Sequence, residues 1–335
     1  MIHHLYVTDR ASIWRPGTAT LGFVLIGAVV LLTACSTGAM TPTAISSTTG
    51  GNQSSATPAV QPTAPGSTTL SVPVANASAA SLTLRPPRGF RWNRVVGSPG
   101  LATTTVDGGD ISLLWINPLL LRFRYVPGYT WPENGPASSA DNRPSSWVPR
   151  MVAAFNGGFK LSDNVGGYYY RGVMVSPLRK NYAAFVVYRN GTMSVGVWGR
   201  DLHMNSHVLV VRQNLPPLVL RGHARTSPSD NNQTWGLALR GRSHVNRSAL
   251  ARRADGSLIF AFGHSVTPST MAQYLVSAGA SEAMMLDMNT TWPTGYIYRH
   301  SHGNINGNRI NDNIYHSPSV YLTRNEKDFI AVEAP

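Results

Sequence analysis

One strand–helix–strand pattern in the second half of the chain constrains the fold more than any other feature. Ser257-Leu-Ile-Phe-Ala-Phe262 is a short apolar run between turn residues, which predicts a buried strand. Thr267-Pro268 offers a capping hydroxyl and a proline at the first helical position, and Gly279 ends the apolar stripe that follows. The next apolar run, Ala283–Leu286, predicts a second strand. A helix is therefore predicted between two strands.

Two strands joined by a helix normally run parallel, with a right-handed crossover. We therefore predict a βαβ unit at about 257–287, inside an α+β domain with a mixed, twisted sheet and few helices. The loops at Gly263–Ser265 and Asp287–Thr291 would then lie at the same edge of the sheet, where open α/β sheets bind ligands. His264 and Asp287 are expected to face one cleft.

The amino-terminal residues predict export. Arg10 and Arg15 precede an apolar run, Leu21–Leu32, which ends in Leu32-Thr-Ala-Cys35. A basic start, an apolar run and a small-residue cleavage site before cysteine are typical of a lipoprotein signal peptide, here residues 1–35. We expect Cys35, the chain's single cysteine, to carry lipid and anchor the protein outside the cell membrane. The alternative is an uncleaved amino-terminal anchor.

Composition divides the rest of the chain into two parts. Residues 36–80 are rich in Thr, Ser, Ala, Pro and Gly and nearly free of charge, which predicts a disordered tether. Residues 81–335 are long enough for one domain with a full core, which we place at 150–332. The net charge of +13 favours an anionic partner, and an anionic envelope glycan fits it. The basic residues are scattered and no nucleic-acid-binding motif is present, so nucleic acid is not an expected partner.

The middle of the chain predicts several strands and one turn that suits an anion. Asn156-Gly157-Gly158 follows the predicted strand Arg150–Phe155, and glycines there permit close approach of the backbone to a ligand. Asn-Gly is also a common hairpin turn, so both interpretations stay open. A second Asn-Gly, Asn190-Gly191, predicts a hairpin over 183–197. Further strands are predicted at 235–239, 247–251 and 319–323.

These motifs, in this order, resemble the phosphodiester glycosidase family. The resemblance covers Arg150 to Val332 and rests on Asn156-Gly-Gly-Phe159, Asn190-Gly191, Arg247-Ser248-Ala249-Leu250, Asp255-Gly256, Gly263-His-Ser265, Gly279-Ala280 and Leu286-Asp287. It implies a divergent bacterial hydrolase that cleaves a sugar-1-phosphodiester bond. It also implies that the family's binding positions are Asn156, Gly157, Gly158, Arg247, Ser248 and Asp287.

Two departures from the family pattern affect the site. An Asp-Gly-Arg-like turn is replaced by Gly263-His264-Ser265, and the triple-glycine loop after Asp287 is replaced by Met288–Trp292. Methionine and β-branched threonine do not adopt positive φ readily, so this loop must have another shape. We expect the side chains of Asn289 and Thr291 to replace backbone donors toward the substrate, and Trp292 to offer a stacking surface.

The chemistry implied by the resemblance needs a carboxylate and an acid or base near the anomeric carbon. Asp287 is the expected carboxylate, as nucleophile, base or metal ligand; the alternative is a turn cap. His264 is the candidate proton donor, although it could be an ordinary polar residue. Arg247 is the candidate phosphate clamp, and could instead form a structural ion pair. Arg309, in an Asn/Gly-rich loop, could reach the cleft.

The cofactor and the function class each keep an alternative. A divalent cation is possible because Asp287 and Asn289 offer hard oxygen ligands, but no segment has calcium-binding spacing. The first function is a surface-tethered hydrolase of envelope sugar phosphodiesters. The alternative is a non-catalytic lipoprotein that keeps the fold and binds anionic glycans.

Overall fold

The computed structural model describes residues 84–132, 141–226, 234–235 and 242–335. The predicted signal peptide, the tether and Cys35 lie outside these residues, as do residues 236–239 of the strand predicted at 235–239. No helix in the described parts of the chain is long and apolar enough to cross a membrane.

Strands dominate the described residues, with one α-helix, α1 (Pro268–Ser277), and short 3₁₀ turns. The strands are β1 (Asn93–Arg94), β2 (Leu101–Val106), β3 (Ile111–Ile116), β4 (Arg122–Val126), β5 (Met151–Asn156), β6 (Tyr168–Tyr170), β7 (Val173–Ser176), β8 (Ala183–Tyr188), β9 (Met193–Val197), β10 (Val208–Gln213), β11 (Val219–Leu220), β12 (His223–Ala224), β13 (Val245–Arg253), β14 (Leu258–Val266), β15 (Ala280–Met288), β16 (Gly295–Ser301), β17 (Asn304–Arg309) and β18 (Phe329–Glu333).

These strands form three antiparallel sheets. The first sheet has the order β1-β2-β3-β14-β13-β15-β11-β12, the second β17-β16-β5-β18-β4, and the third β7-β6-β10-β8-β9. The prediction of an α+β fold with a mixed sheet and a βαβ unit is therefore wrong, because the domain is mostly β-sheet.

The βαβ prediction fails because a third strand lies between the two that α1 connects. β13 pairs antiparallel with both β14 and β15, so those two strands share a direction but do not touch. The Asp255-Gly256 turn makes β13 and β14 a hairpin, and this local pairing occupies the edge that a βαβ unit would have used.

Local sequence signals at α1 and at the β8–β9 hairpin predicted structure correctly. The Thr267 hydroxyl accepts the backbone N–H of Thr270 at 3.0 Å, and Gly279 adopts a φ of 79° just after the helix. Gly191, in the turn between β8 and β9, has a φ of 77°. The strand predicted at 319–323 is wrong: Pro318–Tyr321 is a 3₁₀ helix, because proline starts a helical turn there, and the following strand is β18.

Alternating side chains of the first sheet divide the core into two layers. Phe260 and Phe262 of β14 face the second and third sheets, where the ring of Phe260 stacks on that of Phe155 at 4.6 Å. Ile259 and Ala261 face the opposite layer, which α1 covers. Because both faces of β14 are buried, its sequence is a continuous apolar run rather than an alternating one.

Candidate active site

A narrow, buried pocket lies where β5, β15 and the segment before β18 meet. Its interior volume is about 10 Å³, close to the space that one water molecule needs. Three of the residues predicted to bind substrate contribute to it, together with Asp287. The lining residues are Asn156, Gly157, Gly158, Asp287, Trp292, Thr294, His316, Val320, Tyr321, Asn325, Lys327 and Asp328.

A bulge in β15 helps bring Asp287 into this pocket. Ser248 pairs with Asp287, but the next residue along β13, Ala249, pairs with Met285, so β15 contains one extra residue. Such a bulge re-aims neighbouring side chains, and bulges are frequent beside active sites. Ser248 fixes the position further, because its hydroxyl accepts the backbone N–H of Asp287 at 3.2 Å. Ser248 thus fixes the backbone of Asp287 but does not itself line the pocket.

Both carboxylate oxygens of Asp287 have donors. Oδ2 accepts the Lys327 ammonium at 2.7 Å, and Oδ1 accepts the backbone N–H of Met288 at 2.7 Å. The Asn289 amide adds a third hydrogen bond to Oδ1 at 3.3 Å. Asp287 is only 2% exposed, so its charge is neutralised by these donors rather than by water.

Lys327 brings a positive charge into the pocket. Its Nζ lies 4.6 Å from the centre of the Trp292 ring, in the position of a cation–π contact. An ammonium carries three N–H donors, and within the described residues one hydrogen bond of Nζ is recorded, that to Asp287. The remaining donors can bind an anionic ligand.

The neighbouring residue, Asp328, belongs to a second buried ion pair. Its Oδ2 accepts the Tyr125 hydroxyl at 3.0 Å and Nε of Arg212 at 3.2 Å. Burial raises the pKa of Asp328 above its usual value, and the charge of Arg212 opposes that rise. A neutral Asp328 would leave the fully buried Arg212 without a counter-charge, which favours the ionised form of the pair.

The Asn156-Gly157-Gly158 turn is shaped by Asp328. Asn156 bridges two segments: its Oδ1 accepts the Thr294 N–H at 3.0 Å. A Cβ added to Gly157 would lie 2.5 Å from Cγ of Asp328, so only glycine fits beside that carboxyl. The Gly157 N–H donates to the Asp328 carbonyl at 2.9 Å and is therefore engaged within the protein. The close approach expected at these glycines is made by a side chain of the protein itself.

The Met288–Trp292 loop is held by Asn289. Its Oδ1 accepts the N–H of Thr291 at 2.8 Å and of Trp292 at 2.6 Å, as in an Asx turn. The structure thus engages Asn289 and Thr291 in the loop itself, and neither lines the pocket. Trp292 does line it, and its ring lies 5.2 Å from that of His316.

Three further predicted site residues, besides Ser248, Asn289 and Thr291, lie outside the pocket lining. His264 contacts Asn246 at 3.0 Å through Nδ1. Arg247 is buried and donates to backbone carbonyls, including that of Val266 at 2.8 Å, and burial lowers its pKa to about 10. Arg309 donates to the His316 carbonyl at 3.1 Å and so supports a residue of the pocket from outside.

Sequence reasoning missed Lys327, Asp328, Arg212 and His316. Three of them carried a readable signal. Lys327 and Asp328 directly precede the apolar run Phe329–Val332, which predicts a strand. Polar residues at the start of a strand are expected at the edge of its sheet. Arg212 interrupts the apolar strand β10, and a charge inside such a run indicates a buried ion pair. His316 lies in a turn-rich segment and carried none.

No group of three or more His, Cys, Asp or Glu side chains suited to a metal ion occurs within residues 84–132, 141–226, 234–235 and 242–335. Asp287, named from the sequence as a possible metal ligand, is paired with Lys327 instead. A cation beside that ammonium would meet like-charge repulsion.

Comparison with known proteins gives one sequence match and several structural similarities. The family model described as phosphodiester glycosidase matches residues 149–287. No curated protein matches the chain.

Among solved structures, the zebrafish N-acetylglucosamine-1-phosphodiester alpha-N-acetylglucosaminidase catalytic domain, auto-inhibited by its pro-peptide, is 15% identical, with a TM-score of 0.43 over 72% of this chain and 86% of that one. A hypothetical protein from Synechocystis is 12% identical, with a TM-score of 0.42 over 73% of this chain and 61% of that one.

Proposed function

Because residues 149–287 belong to the phosphodiester glycosidase family, we propose that the protein hydrolyses sugar-1-phosphodiester bonds in glycoconjugates of the cell envelope. The observation that carries the proposal is the Asp287–Lys327 ion pair, 2.7 Å long, in a pocket walled by Trp292. The Lys327 ammonium can bind a phosphate, and the Trp292 ring offers a flat aromatic surface for a sugar.

The chemistry of this bond matches that combination. Cleavage at the anomeric carbon passes through an oxocarbenium-like state while negative charge collects on the leaving phosphate. Lys327 can bind that phosphate with the N–H donors that Asp287 does not use. A phosphate leaves without full protonation, so the reaction does not depend on a strong general acid.

Asp287 acts here by holding Lys327 in place. Its two oxygens accept Lys327, Met288 N–H and the Asn289 amide, so it is a stabilised anion. The proton-donor role predicted for His264 and the clamp role predicted for Arg247 are not part of this proposal, because neither side chain lines the pocket.

The test of this function is a set of hydrolysis assays. We expect the full-length protein to release free sugar from at least one glycosyl-1-phosphodiester, measured with and without divalent cations. Asp287→Asn should lower that rate at least about 10²-fold, since Lys327 loses its anchoring charge. Asp312→Asn, the same chemical change at an exposed residue that does not line the pocket, is the control. Absence of sugar release from every substrate, with folded protein, would reject the hydrolase.

The proposed location is the outer surface of the cell membrane. Its support is the sequence Leu32-Thr-Ala-Cys35 after an apolar run. Cys35→Ser should move the protein from the membrane fraction to the soluble extracytoplasmic fraction, or leave it as an unprocessed precursor. Unchanged membrane association at the mature size would contradict lipid attachment at Cys35.

The second candidate function is binding of anionic glycans without catalysis. It is favoured by the Met288–Trp292 loop, where Asn289 engages the N–H groups of Thr291 and Trp292 that a glycine-rich loop would offer to a ligand. The net charge of +13 would draw such polymers. Glycan retention by both the parent and Asp287→Asn, without sugar release by either, would establish this alternative.

A further inference from the structure

A second cleft lies where the start of β4 meets the turn between β8 and β9. Its volume is about 310 Å³, which is enough for a small ligand. It shares no lining residue with the Asp287 pocket, and the two lie at opposite ends of β18, a strand about 15 Å long. We call it the arginine cleft. Its lining residues are Arg122, Phe123, Arg124, Arg150, Arg171, Tyr188, Arg189, Asn190, Gly191, Leu209 and Glu333.

The fold gathers the five arginines of this cleft from separate segments. Arg122 and Arg124 are two positions apart on β4, so their side chains leave the same face of the strand. The Phe123 N–H donates to the Gly191 carbonyl at 2.7 Å, and this bond joins β4 to the turn that carries Arg189. The arginines therefore meet through tertiary structure, which explains why they look scattered in the sequence.

A buried carboxylate holds two of the guanidinium groups side by side. Oε1 of Glu333 accepts Nε of Arg124 at 2.6 Å, and Oε2 accepts Nη2 of Arg150 at 3.2 Å. The Glu333 side chain is 5% exposed, whereas those of Arg124 and Arg150 are 31% and 55% exposed. Each guanidinium has five N–H donors, and one of them is recorded in a hydrogen bond within the described residues. The two groups can therefore bind one anion together.

Positive charge in the arginine cleft exceeds the negative charge that pairs with it. Arg171 forms an ion pair with Asp141 at 2.8 Å, and Glu333 serves two further arginines. For Arg122 and Arg189 no ion pair with another described residue is recorded, and their side chains donate to backbone carbonyls. Five cations thus share two carboxylates. Such a cluster attracts a polyvalent anion, which relieves the repulsion among the guanidinium groups.

The donors and their neighbours indicate which anion fits. The planar guanidinium fork matches two oxygens of a phosphate better than a single-point cation does. Tyr188 and Asn190 also line the cleft and offer an aromatic ring and an amide, groups that suit a sugar. None of the exposed large apolar side chains of the described residues lines it, and insertion into a membrane would need such side chains.

From these observations we propose that the arginine cleft binds phosphate groups carried by a glycan, at a site separate from the Asp287 pocket. The proposal goes beyond the hydrolysis proposed above and does not depend on it. In a hydrolase the cleft holds the polymer while one of its bonds reaches the Asp287 pocket. In a protein without catalysis the cleft is itself the glycan-binding site.

The test is calorimetric titration of the full-length protein with inorganic pyrophosphate and with a phosphorylated mannan. Arg189→Gln removes a guanidinium without leaving a carboxylate unpaired, and Arg150→Gln removes one of the two groups at Glu333. We expect each to weaken binding of both ligands at least about tenfold, the effect of losing one hydrogen bond to a charged group.

Arg91→Gln is the matched control, because it makes the same change in net charge at an exposed arginine outside the cleft lining. It should bind both ligands as the parent does. An affinity of Arg189→Gln equal to that of Arg91→Gln, or no binding by the parent, would overturn the proposal. If Arg150→Gln does not fold, the exposed Arg189 decides the result.

Two further ligands identify what carries the phosphate. Dephosphorylated mannan should not bind, since the arginines then have no anion to contact. The parent should sediment equally with vesicles of phosphatidylcholine alone and with vesicles that also contain phosphatidylglycerol. Binding that needs phosphatidylglycerol and is lost in Arg189→Gln, without binding of the mannan, would overturn the glycan as the ligand. None of these measurements needs turnover, so a failed hydrolysis assay rejects the hydrolase alone.

Discussion

Replacement of Lys327 by methionine is expected to lower kcat/KM for a glycosyl-1-phosphodiester by about 10²–10³-fold, the effect of removing one charged donor from a developing anion. Methionine keeps the length of the side chain and its contact with Trp292 but removes the charge that faces Asp287. The measurement is steady-state hydrolysis by folded protein. Lys180→Met, at an exposed lysine, is the matched control and should leave the rate unchanged.

A second variant separates the chemistry of Lys327 from its part in stability. Lys327→Met alone leaves Asp287 buried without its counter-charge, which typically costs about 3–5 kcal/mol. The double variant Lys327→Met with Asp287→Leu removes both charges and should recover most of that stability but none of the activity. Recovery of activity in the double variant would show that the ammonium does not act on the substrate.

Replacement of Arg212 by methionine is expected to destabilise the fold by about 3–5 kcal/mol, because Asp328 would remain as a buried charge without its partner. The loss would be measured by urea unfolding. Arg171→Met is the matched control, since the Arg171–Asp141 pair is similar in chemistry but half exposed, and such pairs contribute at most about 1 kcal/mol.

A double variant tests whether Asp328 is charged in the folded protein. Arg212→Met combined with Asp328→Asn should be more stable than Arg212→Met alone, because the second change removes the unpaired charge. Equal stability of the two variants, or a loss below about 1 kcal/mol for the first, would mean that Asp328 is neutral in the folded protein.

Features encoded by neighbouring residues were predictable from the sequence. The hairpin at Asn190-Gly191 and the helix that begins after Thr267 follow from turn and cap chemistry within a few residues. The resemblance to the phosphodiester glycosidase family was also predictable from the order of short motifs, and a model of that family matches residues 149–287. That resemblance named both Asn156 and Asp287 as binding residues, and both line the pocket.

What depends on distant pairing was not predictable. β13 lies between β14 and β15 in the sheet. Strands of similar composition compete for each neighbouring position, and hydrophobic periodicity does not indicate which strand will occupy it. The contact between Asp287 and Lys327 joins residues forty positions apart, and that between Arg212 and Asp328 joins residues 116 apart. A carboxylate in a sequence does not identify the cation that it will meet.

The position of β18 has a consequence for the time course of folding. This strand, which follows Lys327 and Asp328 directly, lies between β5 and β4 inside the second sheet. β4 and β5, both from the first half of the chain, therefore keep one edge unpaired until the carboxyl-terminal segment inserts between them. Such long-range closure is slow. The same insertion brings Lys327 and Asp328 to the pocket. A chain that still lacks its carboxyl-terminal segment therefore has neither the complete sheet nor the complete pocket, and both form in one event.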